Sequence, residues 1–139
     1  MKYILTDSCY WIGLLDSRDQ YHDSAKIYAE LTVNHTIIVP FPCLYETIST
    51  YLIRKNLLSE FQRILSMGNI QLIHDEKYRD MALKKVFNNQ SIIGYTHSLV
   101  DAVLREILSD DNLSIDYLLS FNKSDFIDIC SIRNIVIYD

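Results

Sequence analysis

Short apolar runs alternate with stretches of helical spacing along the chain. Tyr3–Thr6 (YILT) is followed at once by Asp-Ser and reads as a buried first strand. Cys9–Leu15 suits a short helix. Asp19 can cap a second helix over roughly Tyr21–Thr32, with Ala25, Ile27, Tyr28 and Leu31 available for burial. Thr36–Val39 (TIIV) is a second strand stopped by Pro40, and Pro42 suits the first turn of a helix. Leu44, Ile48 and Leu52 then recur at helical spacing to about Lys55, and a further helix over Leu57–Met67 ends at Gly68. Ile70–His74 is a third strand and Glu76–Phe87 a helix. The stripe Leu99, Val100, Val103, Leu104, Ile107 and Leu108 lies on a helix starting near Thr96. Tyr117–Phe121 is a fourth strand, Lys123–Ile129 one or two helical turns, and Ile135–Tyr138 the last strand.

Strands without polar alternation, separated by helices, predict an α/β fold: a mostly parallel sheet covered on both faces. At 139 residues the chain is one domain, 1–139, because two halves would each be too small for a good core. Hydrophobic residues at 49% with 3 Gly and 2 Pro exclude a disordered or collagen-like chain. Cys9, Cys43 and Cys130 are odd in number and form no CxxC or zinc-ligand spacing, so a disulfide framework is not expected. Asp7 interrupts the apolar start and Asp16 closes it, which fails as a signal peptide or membrane span. A cytoplasmic protein is expected.

The formal charge of −5 excludes a protein that coats nucleic acid by charge alone. Residues 1–100 balance ten acids with ten bases, so the whole excess lies in 101–139. In parallel sheets, ligands sit beyond the carboxyl ends of the strands. Asp7 follows the first strand. Glu46 lies in the second turn of the helix after the second strand, and Asp101 early in the helix leading to the fourth. Asn122 and Asp125 follow the fourth strand. A parallel sheet would put all five along one edge. Gathered carboxylates repel unless a cation neutralises them, and oxygen-only donors suit Mg²⁺ or Mn²⁺ rather than zinc. No Walker motif, GxGxxG, GxSxG or HExxH accompanies them. Carboxylates and metal suffice to hydrolyse a phosphodiester. Each acid also has a structural alternative. Asp7 and Asp125 can cap helices, Ser98 and Asp101 can form a capping box, and Glu46 can face a helix dipole.

At these residues the sequence resembles PIN domains, and among them the VapC-type ribonuclease toxins. Ile4-Leu5-Thr6-Asp7-Ser8 is similar to the strand that ends in Asp-Thr/Ser. Trp11-Ile12-Gly13-Leu14-Leu15-Asp16, Arg18-Asp19, Tyr21-His22 and Ala25 resemble the first helix and loop. Val39-Pro40 with Leu44-Tyr45-Glu46-Thr47 matches the segment of the second acid, and Ser98-Leu99-Val100-Asp101-Ala102 that of the third. Ser120-Phe121-Asn122-Lys123-Ser124-Asp125-Phe126 is similar to the Thr-x-Asn-x-x-Asp-Phe variant of the fourth. The similarity runs from Tyr3 to Tyr138.

The resemblance implies a three-layer α/β/α sandwich on a five-stranded sheet and a Mg²⁺- or Mn²⁺-dependent endoribonuclease acting on single-stranded or structured RNA. It implies a homodimer silenced by an antitoxin protein. By position, Asp7, Glu46, Asp101 and Asp125 would be the catalytic, metal-binding acids, supported by Ser8, Ser120 and Asn122. Cys9 stands where Ser is commoner, Ser120 where Thr is commoner, and Asn122 where many members carry Asp; Asn can ligate through oxygen but adds no charge. Those departures also allow a non-catalytic PIN-like module that binds RNA or protein. A receiver-like signalling domain would want a Lys after the last strand, and none follows Lys123. Arg18, Arg54, Lys55, Lys84, Lys85 and Lys123 are candidate phosphate contacts, or else parts of solvated faces. Tyr10, Trp11, Tyr21 and Tyr95 are candidate base-stacking groups, or else core. The Tyr51–Phe61 segment could form a partner surface or pack internally.

Overall fold

All 139 residues are described by a computed structural model. In chain order the elements are β1 (Tyr3–Thr6), α1 (Ser8–Leu15), α2 (His22–Leu31), β2 (Thr36–Pro40), α3 (Phe41–Thr47), α4 (Thr50–Arg54), α5 (Leu58–Leu65) and β3 (Ile70–Ile73). Then follow α6 (Glu76–Asn89), α7 (Leu99–Ser109), β4 (Tyr117–Leu119), a 3₁₀ turn (Lys123–Asp125), α8 (Ile127–Arg133) and β5 (Val136–Tyr138). The five strands lie in the order β3-β2-β1-β4-β5, and every neighbouring pair is parallel.

Successive strand residues point to opposite faces, and the two cores divide accordingly. Leu5, Ile38 and Leu118 face one layer with Val103, Leu104 and Ile107 of α7, Ala82 of α6 and Cys130 of α8. Ile4, Ile37, Val39 and Leu119 face the other with Trp11, Leu15, Ala25, Leu52 and Phe61. The result is an α/β/α sandwich, with apolar side chains above and below each central strand. Thr6, the one polar residue of β1 in this core, is satisfied on both sides: its hydroxyl donates to the Ile38 carbonyl at 2.8 Å and accepts from the Trp11 indole at 2.9 Å. Trp11 is thus a core residue, 2% exposed, and Tyr10 is 3% exposed; neither is free to stack on a base.

Five local expectations change. The helix predicted through Leu44–Lys55 is two helices, broken at Ile48 and Ser49. Ile48 leaves the helical region (ψ 66°) and Ser49 is extended (ψ 169°). Thr47, Ile48, Ser49 and Thr50 form a run of β-branched and hydroxyl residues with weak helix preference, and Thr47 turns its hydroxyl back onto the Cys43 carbonyl. The break leaves Ile48 half out and sends Leu52 into the core. Gly68 is not a left-handed helix stop: α5 ends earlier, and the left-handed positions are Asn56, Gly94 and Asn134, the last of which closes α8. Of the α2 residues expected inside, only Ala25 is buried; Ile27 and Leu31 face outward. Asp19 does not cap α2, whose N-cap is Tyr21 without a side-chain cap bond; it accepts from the Tyr21 amide in the turn before the helix. Finally, Lys123–Ile129 is a 3₁₀ turn that hands over to α8. No helix is long and apolar enough to cross a membrane.

Candidate active site

The strand order reverses at β1. β2 and β3 lie on one side, β4 and β5 on the other, so the carboxyl ends of β1 and β4 flank the switch point, where open α/β sheets bind ligands. Thr6 pairs with Leu119 in that register, and the Asp7 amide donates to the Leu119 carbonyl at 3.1 Å. Asp7 and Ser120 therefore emerge side by side, and the Ser120 hydroxyl donates to Asp7 Oδ2 at 2.8 Å.

Asp7 is 3% exposed. It caps α1 by accepting from the Ser8 amide at 2.7 Å, and the Cys9 thiol approaches its Oδ2 at 3.4 Å. Ser8 also bridges to the second acid: its hydroxyl donates to Glu46 Oε1 at 2.7 Å. Because α3 is short, Glu46 sits in its last turn, across from the start of α1, rather than facing a helix dipole. Asp101 closes a capping box with Ser98 at the start of α7. Asp7 and Asp101 are thus caps as well as members of the acidic edge. One role fixes the backbone that delivers the carboxylate, and the other uses the oxygen left over.

Burial raises the Asp7 pKa above its ordinary value. Hydrogen bonds from Ser120, Ser8 and Cys9 oppose that, and the nearby Asp101 charge adds to it. Glu46 is raised by burial, eased by Ser8, and raised further by Asp7 and Asp101. The three acids share one field. Burial and the Asp7 charge push the Cys9 thiol up to about 12, so it stays protonated and donates.

The fourth acid stands apart. Asp125 lies at the end of the 3₁₀ turn and caps nothing; its Oδ1 is 3.8 Å from His97 Nδ1, and its main-chain carbonyl accepts from Arg105 at 2.8 Å. Asn122 is exposed, and its contribution is a main-chain amide donating to the Ser120 hydroxyl at 3.1 Å. Sequence reasoning did not give Arg105 a role, although it stands four residues after Asp101 on the same helix, the spacing at which side chains share a face. At the site, the resemblance marks Cys9 as a departure from the commoner serine, and its place two residues after Asp7 is visible in the sequence.

No three His, Cys, Asp or Glu side chains are close enough to ligate one ion together as they stand. The donors nonetheless suit a hard divalent cation. They are all oxygens, and Asp7 and Glu46 are held against burial and the charge of neighbouring acids (Asp101 on Asp7; Asp7 and Asp101 on Glu46), a cost that a cation would relieve. Mg²⁺ usually keeps several waters, so it can be held with few direct protein ligands.

This all-parallel five-stranded α/β/α arrangement is found among solved structures. VapC20 of Mycobacterium tuberculosis, described as a sarcin-ricin loop cleaving toxin, superposes with a TM-score of 0.71 at 17% identity, over 90% of this chain and 94% of that one. VapBC2 from Rickettsia felis, bound to a DNA fragment from their promoter, superposes with a TM-score of 0.62 at 16% identity, over 97% and 96%. The chain has the PIN-type fold of these VapC toxin structures over nearly its whole length. No family model and no curated protein matches it by sequence.

Proposed function

We propose that the chain is a metal-dependent endoribonuclease and the toxin of a toxin–antitoxin pair. The observation that carries this reading is the convergence of Asp7, Glu46 and Asp101 on one field at the β1/β4 switch point of a VapC-type fold. Asp7, Glu46 and Asp101 would hold Mg²⁺ or Mn²⁺, directly or through water, with Asp125 at the margin. The cation supplies an activated water and neutralises charge on the phosphate. Ser120 and Cys9 hold Asp7 Oδ2, and Ser8 holds Asp7 Oδ1 and Glu46 Oε1, so two carboxylates keep their orientation without substrate. Cleavage should leave a 5′ phosphate and a 3′ hydroxyl.

An antitoxin partner is supported by the Rickettsia felis neighbour, which is a VapBC2 structure. For a homodimer, the Tyr51–Phe61 segment offers two half-exposed side chains, Tyr51 and Ile53, while Leu52 and Phe61 are core. A non-catalytic RNA- or protein-binding module is the second reading, favoured by the absence of a ready group of metal ligands and by the exposed Asn122. The test is incubation of end-labelled single-stranded and hairpin RNA with parent and Asp7→Asn protein, with Mg²⁺, Mn²⁺ or EDTA. The nuclease reading expects metal-dependent cutting by the parent only. Binding without cutting in either metal favours the second reading, and equal cutting by Asp7→Asn defeats the proposed mechanism.

A further inference from the structure

The loop bearing Asp125 is held by Arg105 of α7 and faced by His97, which lies just before that helix. Arg105, one turn beyond Asp101, donates Nη1 to the Asp125 carbonyl at 2.8 Å and anchors itself on Asp128 with two bonds of 2.7 Å. His97 precedes the cap of the same helix. Its Nδ1 is buried without a hydrogen-bond partner, and Asp125 Oδ1 lies 3.8 Å away. Buried polar atoms are nearly always paired, so an orphan nitrogen beside a carboxylate calls for a functional account. The Tyr95 ring stands perpendicular to the imidazole at 5.3 Å and limits its swing. A movement of about 1 Å would bring Nδ1 and Oδ1 to hydrogen-bond length. The Asp125 side chain, 28% exposed, has room to make it.

We propose that His97 is a positioning residue: its Nδ1–H, braced by Tyr95, holds the Asp125 carboxylate at the rim of the acidic edge, while Arg105 fixes the main chain beneath it. This rests on the nuclease reading for what Asp125 is positioned to do. One helix would then set both late acids, Asp101 through its cap and Asp125 through His97 and Arg105, so that their separation is fixed by α7 rather than by the 3₁₀ turn.

The test compares parent, His97→Ala and His97→Asn on a labelled single-stranded RNA in Mn²⁺. His97→Ala should lower kcat about 10–100-fold, the range for residues that orient a metal ligand, with KM for RNA unchanged. His97→Asn keeps a donor near the position of Nδ1 and should regain most of the loss. Equal loss in both variants, or a change in KM alone, overturns the proposal. A second readout is independent of cleavage: the ring ¹⁵N spectrum of His97 in metal-free protein. Replacing Asp125 with Asn should shift the Nδ1 resonance, and an unmoved resonance overturns the proposal even if the parent cuts RNA. A shifted resonance in a parent that cuts no RNA instead overturns the nuclease reading, and with it the positioning role.

Discussion

Two sets of carboxylates in this chain are built in opposite ways. Asp7 and Glu46, on the acidic edge, have raised pKa values, with burial as the largest cause and neighbouring acids adding to it. Asp110, which caps the far end of α7, is pulled down to about 2. The Tyr78 hydroxyl at 2.7 Å is the largest cause, joined by the Asn112 amide and Lys77. Asp128 is likewise lowered to about 2 by the forked contact with Arg105. The residue type is the same, but the company differs: a cation or phenol beside Asp128 and Asp110, other acids beside Asp7. The second set strengthens the fold at neutral pH. The first weakens it there, a cost that a bound cation would offset under the proposed function.

The sharpest way to break this contrast is Asp7→Asn. RNA cleavage in Mg²⁺ or Mn²⁺ should fall to background. The melting temperature at pH 7 without metal should rise by a few degrees. The sign follows from the raised folded-state pKa. Asp7 contributes stability only while protonated, and that contribution is lost as pH rises through the folded value, which lies above 3.8. The gain from Asn should therefore shrink as pH is lowered toward 4. Thermal melts from pH 7 to 4 check it, and a lower melting temperature for Asp7→Asn at pH 7 would place Asp7 with the structural acids.

Asp110→Asn is the mirror experiment. A folded pKa lowered to about 2 means that stability is present above the ordinary carboxylate range and is lost as pH falls through about 2. The variant should melt a few degrees below the parent at pH 7, with the deficit closing between pH 4 and pH 2. RNA cleavage per folded molecule should not change. A variant as stable as the parent at pH 7 would remove one side of the contrast.

The sequence showed the acidic edge more fully than it showed the relations within it. Asp7 and Asp101 were legible because each follows a clear signal: a strand ending in Asp-Ser, and a Ser-x-x-Asp box before an apolar stripe. The parallel order of the strands followed from their uniform apolarity. What stayed hidden depends on contacts between distant segments. The Thr47–Thr50 break depends on competition between apolar spacing, which favours one helix, and local hydroxyl and β-branched chemistry, which favours two. Trp11 could not be told from a surface aromatic, because its partner Thr6 lies five residues back on a strand. The pairing of His97 with Asp125 joins residues 28 apart, and no local pattern announces it.

The smallest expected effect separates the two sets most cleanly. Mn²⁺ at a concentration equal to its dissociation constant stabilises the folded state by about 0.4 kcal/mol, a shift of about one or two degrees. The parent and Asp110→Asn should both show it, because Asp110 is already satisfied by Tyr78, Lys77 and the Asn112 amide. Asp7→Asn should not. Metal must also displace protons from acids whose pKa values are raised, so the shift in the parent should grow as pH rises from 5 to 7. Melts of the three proteins with and without Mn²⁺ at both pH values check this. A shift of the same size in all three, indifferent to pH, would assign the ion to some other part of the surface and leave the acids of the β1/β4 switch point without the partner that their repulsion calls for.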